Sequence, residues 1–226
     1  MMNYAQLIVP HAALAAHLFV HCLAMNLDSH NRGLLLVISG PSGVGKTTIV
    51  HEVVRMLGGV FSVSATTRPK TNSEVHGRDY YFVSSEAFQQ MIEQEELLEY
   101  ARVFGKHDYG TPREPVERLL GQGELVILDI DVQGAIQVKQ AMPEALMVFV
   151  LPPSEEELLR RLRSRARDDE DAIKRRFARA KEEIAFARSS GCYDHFVIND
   201  NLESAIDQTC QIVNKRRELN GASRRD

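Results

Sequence analysis

The chain is predicted to fold as an α/β domain, a parallel β-sheet core flanked by helices, with an inserted lobe and a helical lid. Three observations lead there. Apolar runs at residues 34–39, 125–131, 145–151 and 195–199 read as buried strands. Helical spacing of apolar residues lies between them, and strands alternating with helices imply parallel pairing with helices on both faces. The first run leads through a glycine-rich turn into a helix, an arrangement that aims backbone N–H groups at an anion.

The elements follow in order. Residues 1–32 are expected to be an extension of no essential role. Tyr4–Met25 is fairly apolar but carries Pro10, His11, His17 and His21, which argues against a membrane span. No Lys or Arg precedes Arg32, so the basic start of a secretory signal is missing. A docked or frayed segment and an upstream start codon, with Met25 as the working start, both remain open. Leu34–Ser39 is the first strand, and Thr47–Leu57 a helix through Ile49, Val50, Val53, Val54 and Leu57, stopped at Gly58-Gly59. Phe61–Ser64 and Tyr80–Val83 look like strands, and Ser85–Glu96 like a helix, within a stretch that breaks the alternation and reads as an inserted substrate lobe. Leu125–Asp131 and Ala145–Leu151 return to the core, the latter closed by Pro152-Pro153. Residues 154–190 are helical and arginine-dense, with Ser154 and Glu157 as a capping box and a break at 167–171. His195–Asn199 is a last strand and Leu202–Leu219 a last helix.

Bulk properties narrow the function classes. The net charge of −4 disfavours a general nucleic-acid binder, and three cysteines without a C-x-x-C pair indicate neither a disulfide framework nor a zinc site. A reducing, cytoplasmic setting is expected.

Residues 40–47 read Gly-Pro-Ser-Gly-Val-Gly-Lys-Thr, which is G-x-x-x-x-G-K-[ST]. That is the P-loop, and with its flanking strand and helix it makes the core P-loop NTPase-type. Gly40, Pro41, Ser42, Gly43, Val44, Gly45, Lys46 and Thr47 are thus the expected ATP-binding residues. Lys46 reaches the β- and γ-phosphates, and Thr47 ligates Mg²⁺. Asp129 ends an apolar strand and is expected to face the same ion, directly or through water. Arg161 and Arg165, four residues apart, share a helix face, and Arg176 follows on the next helix. Fixed cations suit phosphoryl transfer, but a solvated face paired with Glu155–Glu157 and Asp168–Asp171 fits the same spacing.

Longer motifs then bring in a family. Ser64…Thr-Thr-Arg68-Pro, Ser73-Glu74-Val75-His-Gly77-x-Asp79-Tyr80, Glu99…Gly105…Tyr109-Gly-Thr111 and Leu128-Asp-Ile-Asp131-x-Gln-Gly134 resemble guanylate kinases. So do Pro152-Pro-Ser154, the Arg161/Arg165 pair and Val197-Ile-Asn199-Asp200. The resemblance runs in order from about residue 33 to near 215. It implies transfer of the ATP γ-phosphate to GMP or dGMP in purine nucleotide metabolism, with Mg²⁺ accompanying ATP. It implies that Arg68, Tyr80 and Tyr109 hold the acceptor phosphate, that Ser64, Glu99, Thr111 and Asp131 line the guanine pocket, that Arg161, Arg165 and Arg176 belong to the lid, and that Asn199 lies near adenine. The corresponding division is a guanylate kinase-like domain over 33–220: core at 33–62, 121–151 and 191–220, GMP-binding lobe at 63–120, lid at 152–190.

The chemistry of the bases agrees. Guanine presents N–H donors on the edge where adenine presents a bare acceptor, so a carboxylate such as Glu99 is satisfied by one and left unpaired by the other. Read from the residues alone, Tyr80 and Tyr109 could equally be core aromatics and Glu99 a helix-end charge. Two departures from the family pattern bear on the outcome. A second arginine is expected at position 71, where this chain has Thr71 beside Lys70. The Gly105–Tyr109 segment is about one residue longer than the family pattern, so Tyr109 fits only if the extra residue bulges out near 106–108. A partner-binding module without catalysis would resemble this chain but lack the P-loop, and an enzyme for another phosphate acceptor would lack the need for Glu99 and Asp131.

Overall fold

The computed structural model describes residues 33–103, 105–164 and 169–222. The proposed extension and Arg165 therefore lie outside the described residues. The core is a five-stranded, all-parallel sheet in the order β2-β7-β1-β8-β9. Its strands are β1 (Leu34–Ser39), β2 (Val60–Phe61), β7 (Leu125–Asp129), β8 (Leu146–Leu151) and β9 (His195–Ile198). All six residues of β1 and of β8 are buried. That is why they read as unbroken apolar runs: successive side chains point to opposite faces, and both faces are covered.

The covering divides as the two-residue period requires. Leu34, Leu36 and Ile38 pack on one face with α1 (Lys46–Leu57) and with Val213 of α7 (Leu202–Ala222). Leu35 and Val37 pack on the other with α3 (Arg113–Gly121) and α4 (Val132–Ala141). Helix α1 stops where Gly58 adopts φ 69° and donates its N–H to Val54 O at 3.0 Å, the left-handed ending glycine accepts most readily.

A second, four-stranded sheet, β4-β3-β6-β5, forms the inserted lobe. It holds β3 (Ala65–Thr66), β4 (Tyr81–Phe82), β5 (Leu97–Val103) and β6 (His107–Pro112), with Phe88 of α2 (Ser85–Glu93) packed on Ala65 and Leu97. The expected strand Phe61–Ser64 divides instead. Phe61 stays in the core sheet beside Ile127, and the lobe begins at Ala65. The β5–β6 hairpin has no clear period in the sequence because Leu97, Leu98 and Glu99 are all buried. The register shifts between Leu97 and Glu99, and such a bulge breaks the alternation. Helix α3, inside the segment assigned to the lobe, packs in the core through Val116 and Leu120.

The edge of the lobe is laced to the core. Gln137 of α4 accepts from Tyr100 N at 3.1 Å and donates to Tyr100 O at 3.0 Å, as a neighbouring strand would. The lid contains α5 (Glu155–Ser164) and α6 (Glu170–Ser189), joined through Leu158, Leu162, Ile173 and Ala180. Ser154 caps α5 by accepting from Glu157 N at 3.2 Å. The expected capping box is only half made, because the Glu157 carboxylate turns to Arg160 and Arg161.

Candidate functional site

The P-loop sits at the carboxyl end of β1, where open α/β sheets collect their ligands. Two of its glycines are required by what lies behind them. A Cβ on Gly40 (φ 149°) would come within 2.5 Å of Val150 O, and one on Gly45 (φ 96°) within 2.5 Å of Asn199 Nδ2. Gly45 is also the N-cap of α1 and offers no side chain, so the first N–H groups of that helix stay available to an anion. Lys46 folds over the loop and donates from Nζ to Gly40 O at 2.5 Å and Pro41 O at 3.2 Å. Thr47 Oγ1 donates to Asp129 Oδ2 at 3.1 Å, and burial pushes the Asp129 carboxyl above its usual range.

The loop walls a cavity of about 860 Å³, within the range for nucleotide-sized ligands. Gly40–Gly43, Gly45–Thr47, Asp129 and Asp131 form one side. The opposite side is α6, which contributes Arg175, Arg176, Arg179 and Glu183. Arg176 Nη2 donates to Ser42 Oγ at 2.6 Å, a link between lid helix and phosphate loop across 134 positions of sequence. Arg175, Arg179 and Glu183 were not singled out from the sequence. The only signal for them was their spacing on one helix, which a solvated face shares.

Asn199, expected near adenine, and Arg161, expected in the lid, do not line the cavity. Asn199 is buried and donates from Nδ2 to Val44 O at 2.8 Å, so its amide is spent on the back of the P-loop and does not line the cavity. Arg161 donates to Glu157 Oε1 at 2.7 Å and to Asn199 O at 2.9 Å, and it too is absent from the cavity wall. The helical ion pair that competed with a phosphate role is thus formed. Val44 is fully buried beneath the loop and contributes packing.

The acceptor residues gather on the lobe. Arg68 makes a two-pronged pair with Glu74, at 2.5 and 3.0 Å, and its guanidinium lies 5.4 Å from the Tyr80 ring centre and 5.6 Å from that of Phe82. Hydrogen bonding to Arg68 and then to Thr71 holds the Glu74 carboxyl down to about 2. Tyr109 meets Tyr80 edge-on at 5.9 Å. The three residues named for the acceptor phosphate are therefore neighbours. Within the expected bulge region 106–108, His107 and Asp108 pair in register with Val103 and Arg102, and Lys106 sits in the turn outside the ladder. Thr71, in place of an arginine, donates its hydroxyl to Glu74 Oε2 at 2.8 Å, and Lys70 Nζ donates to Glu74 O at 2.9 Å. Glu74, not named in advance as a site residue, is the hub of this group.

Glu99 and Thr111 face each other across the β5–β6 ladder, and Thr111 Oγ1 donates to Glu99 Oε1 at 2.6 Å. Burial, reinforced by the charge of Asp131, pushes the Glu99 carboxyl up to about 7. Asp131 is the N-cap of α4 and accepts from Gly134 N at 2.9 Å. A Cβ on Gly134 would come within 2.7 Å of Glu99 Oε2, so any larger residue there would push against this acid. Ser64 is half-buried between the sheets, and its carbonyl accepts from Tyr81 N at 2.9 Å.

A family model described as "Guanylate kinase" matches residues 32–216. A guanylate kinase from Gloeobacter violaceus is 52% identical over 179 residues, covering 79% of this chain and 85% of that protein. One from Thermus thermophilus is 46% identical over 190 residues, 84% of each. Among solved structures, a guanylate kinase from Anaplasma phagocytophilum superposes with a TM-score of 0.63 at 33% identity, covering 82% of this chain and 86% of that one.

Proposed function

The chain belongs to the guanylate kinase family, and from that premise we propose how its residues divide the transfer of the γ-phosphate of ATP to GMP. The observation that carries the proposal is the shared cavity, lined by the P-loop, Thr47 and Asp129, by lid arginines, and by Asp131, whose charge reaches the buried Glu99.

The P-loop amides and Lys46 bind the triphosphate. Gly40 and Gly45 let the backbone approach it, and Asn199 keeps the loop in shape from behind. Thr47 and Asp129 supply a hydroxyl and a carboxylate oxygen side by side, a hard oxygen donor set that would suit Mg²⁺ accompanying ATP. When bound, that ion neutralises charge on the phosphoryl oxygens. Arg176, tied to Ser42, is placed to meet the same charge from the lid. Arg161 secures the base of the lid, and Arg165 is assigned to it by its spacing.

On the lobe, Arg68 presents the guanidinium edge that Glu74 leaves open, with Tyr80 and Tyr109 beside it, to the phosphate of GMP or dGMP. Glu99, Thr111, Asp131 and Ser64 form the guanine pocket. Glu99 accepts from the base in its ionised form, and Thr111 holds its carboxylate. No general base is required, because positioning and fixed charge do most of the work in phosphoryl transfer. The proposed division gives residues 63–120 to GMP, except that α3 packs in the core, 152–190 to the lid and the rest of 33–220 to the core. It places the reaction in cytoplasmic purine nucleotide metabolism. Among the described residues no helix is long and apolar enough to cross a membrane.

The test is product analysis with γ-labelled ATP against GMP, dGMP, AMP and UMP. Label is expected on the guanine nucleotides alone, and equal transfer to AMP would sink the assignment. Lys46→Ala is expected to lower kcat by about 10²-fold or more, the cost of removing one strong transition-state contact. Near-normal turnover in that variant would refute the role of the loop.

A further inference from the structure

Arg179 stands where the lid meets the guanine acids. From α6 it donates Nε to Glu183 Oε1 at 2.9 Å, and its Nη2 lies 3.5 Å from Asp131 Oδ2. Asp131, Arg179 and Glu183 also line a second, smaller cavity of about 260 Å³ beside the first turn of α4. The three side chains are common to both cavities and so form the partition between them.

The two oxygens of Asp131 have separate attachments. Oδ1 accepts from Gly134 N, which fixes its end of the carboxylate to the start of α4, and Oδ2 faces Arg179. A carboxylate held at one oxygen only can swing about its broad terminal torsion, whereas one held at both keeps its plane. Glu183 anchors the arginine. It lies one turn further along α6 with its side chain 17% exposed, and it takes Nε, which leaves the outer edge of the guanidinium aimed at Asp131. The planar fork of arginine sets these two directions together, which the single ammonium of lysine cannot do.

We propose that Arg179 is a positioning residue of the guanine site: from the lid helix, with Glu183 as its anchor, it fixes the orientation of the Asp131 carboxylate. The inference rests on Asp131 being a guanine acid, as assigned above. It adds a contact through which the lid and the acceptor base act on one another directly. It also gives the crowded acids a local cation. Glu183 and Asp131 both line the cavity, and Arg179 stands between them.

The side chain of Arg179 is 63% exposed, so its pair with Asp131 is screened and its effect is modest. Calorimetry would measure the dissociation constants of GMP and of a non-hydrolysable ATP analogue for the unaltered protein, Arg179→Gln, Arg179→Lys, Asp131→Asn and the Arg179→Gln/Asp131→Asn double variant. Arg179→Gln is expected to weaken GMP by about threefold to tenfold. Arg179→Lys should behave similarly, the ATP analogue should bind as before, and the double variant should be no weaker than Asp131→Asn alone. Melting temperatures should be unchanged, since the altered side chain is mostly in solvent. The proposal is overturned if Arg179→Gln leaves GMP binding intact while Asp131→Asn weakens it, if the two losses add, if the loss falls on the ATP analogue, or if the melting temperature drops with the affinity. Unaltered GMP binding in Asp131→Asn itself would show that the guanine assignment of Asp131 had failed, and the proposal with it.

Discussion

At the scale of single residues, Glu99 ties specificity to pH. Its carboxyl is pushed from 4.5 to about 7, by burial first and by Asp131 after it, so near neutrality only part of the free protein presents an ionised acceptor. The second-order rate constant kcat/KM for GMP is therefore expected to rise as pH climbs through about 7, and Glu99→Gln should flatten that limb and erode the preference over AMP. An unchanged limb in the variant would assign the titration elsewhere. Stability moves the other way. Between 4.5 and about 7 the folded protein holds a proton that the unfolded chain has released, so the contribution of this group is full below 4.5 and is lost as pH rises through the folded value. The individual acids and the acceptor arginine were legible because the motif around each is long. Arg179 and Glu74 were not. Their roles come from partners brought close by the fold, in one case 48 positions away at Asp131 and in the other six away at Arg68. Nothing in local composition separates such residues from ordinary surface charge.

At the scale of elements, the P-loop depends on a strand end far along the chain. Asn199, at the end of β9, donates to Val44 O from a buried position. Asn199→Ala would leave that carbonyl without its partner in the interior. The expected loss is about 1–3 kcal/mol, read as a lower denaturant midpoint together with a raised KM for ATP. A fall in stability with KM unaltered would detach Asn199 from the loop's function. The core strands were legible because burial on both faces leaves a continuous apolar signature, as in β1 and β8. The β5–β6 hairpin was not, because its bulge places three successive buried side chains where a regular strand would alternate. The division of residues 61–64 between two sheets was equally hidden, since the local sequence is strand-like on either side of the break.

At the scale of the whole molecule, core and lid line the same cavity from different parts of the chain. Arg176 already touches the P-loop at Ser42, and Arg179 faces Asp131. Contacts of this kind would couple the two substrates if the proposed assignments hold. The rise in melting temperature produced by GMP and an ATP analogue together is expected to exceed the sum of the rises each produces alone. Simple additivity in thermal-shift measurements would indicate two independent sites. The three-part plan was readable from the order of elements, but the arrangement of its parts was not, because it rests on α3 and α4 packing beneath strands that precede and follow them. The place of β1 carries one more consequence. It lies between β7 and β8, and its loop is braced by Asn199, so the earliest strand of the domain gains its neighbours only from later sequence. On a ribosome the nucleotide-gripping segment emerges before its neighbouring strands and stays unsupported until nearly the entire polypeptide has followed. A nascent or prematurely ended product therefore lacks a finished grip.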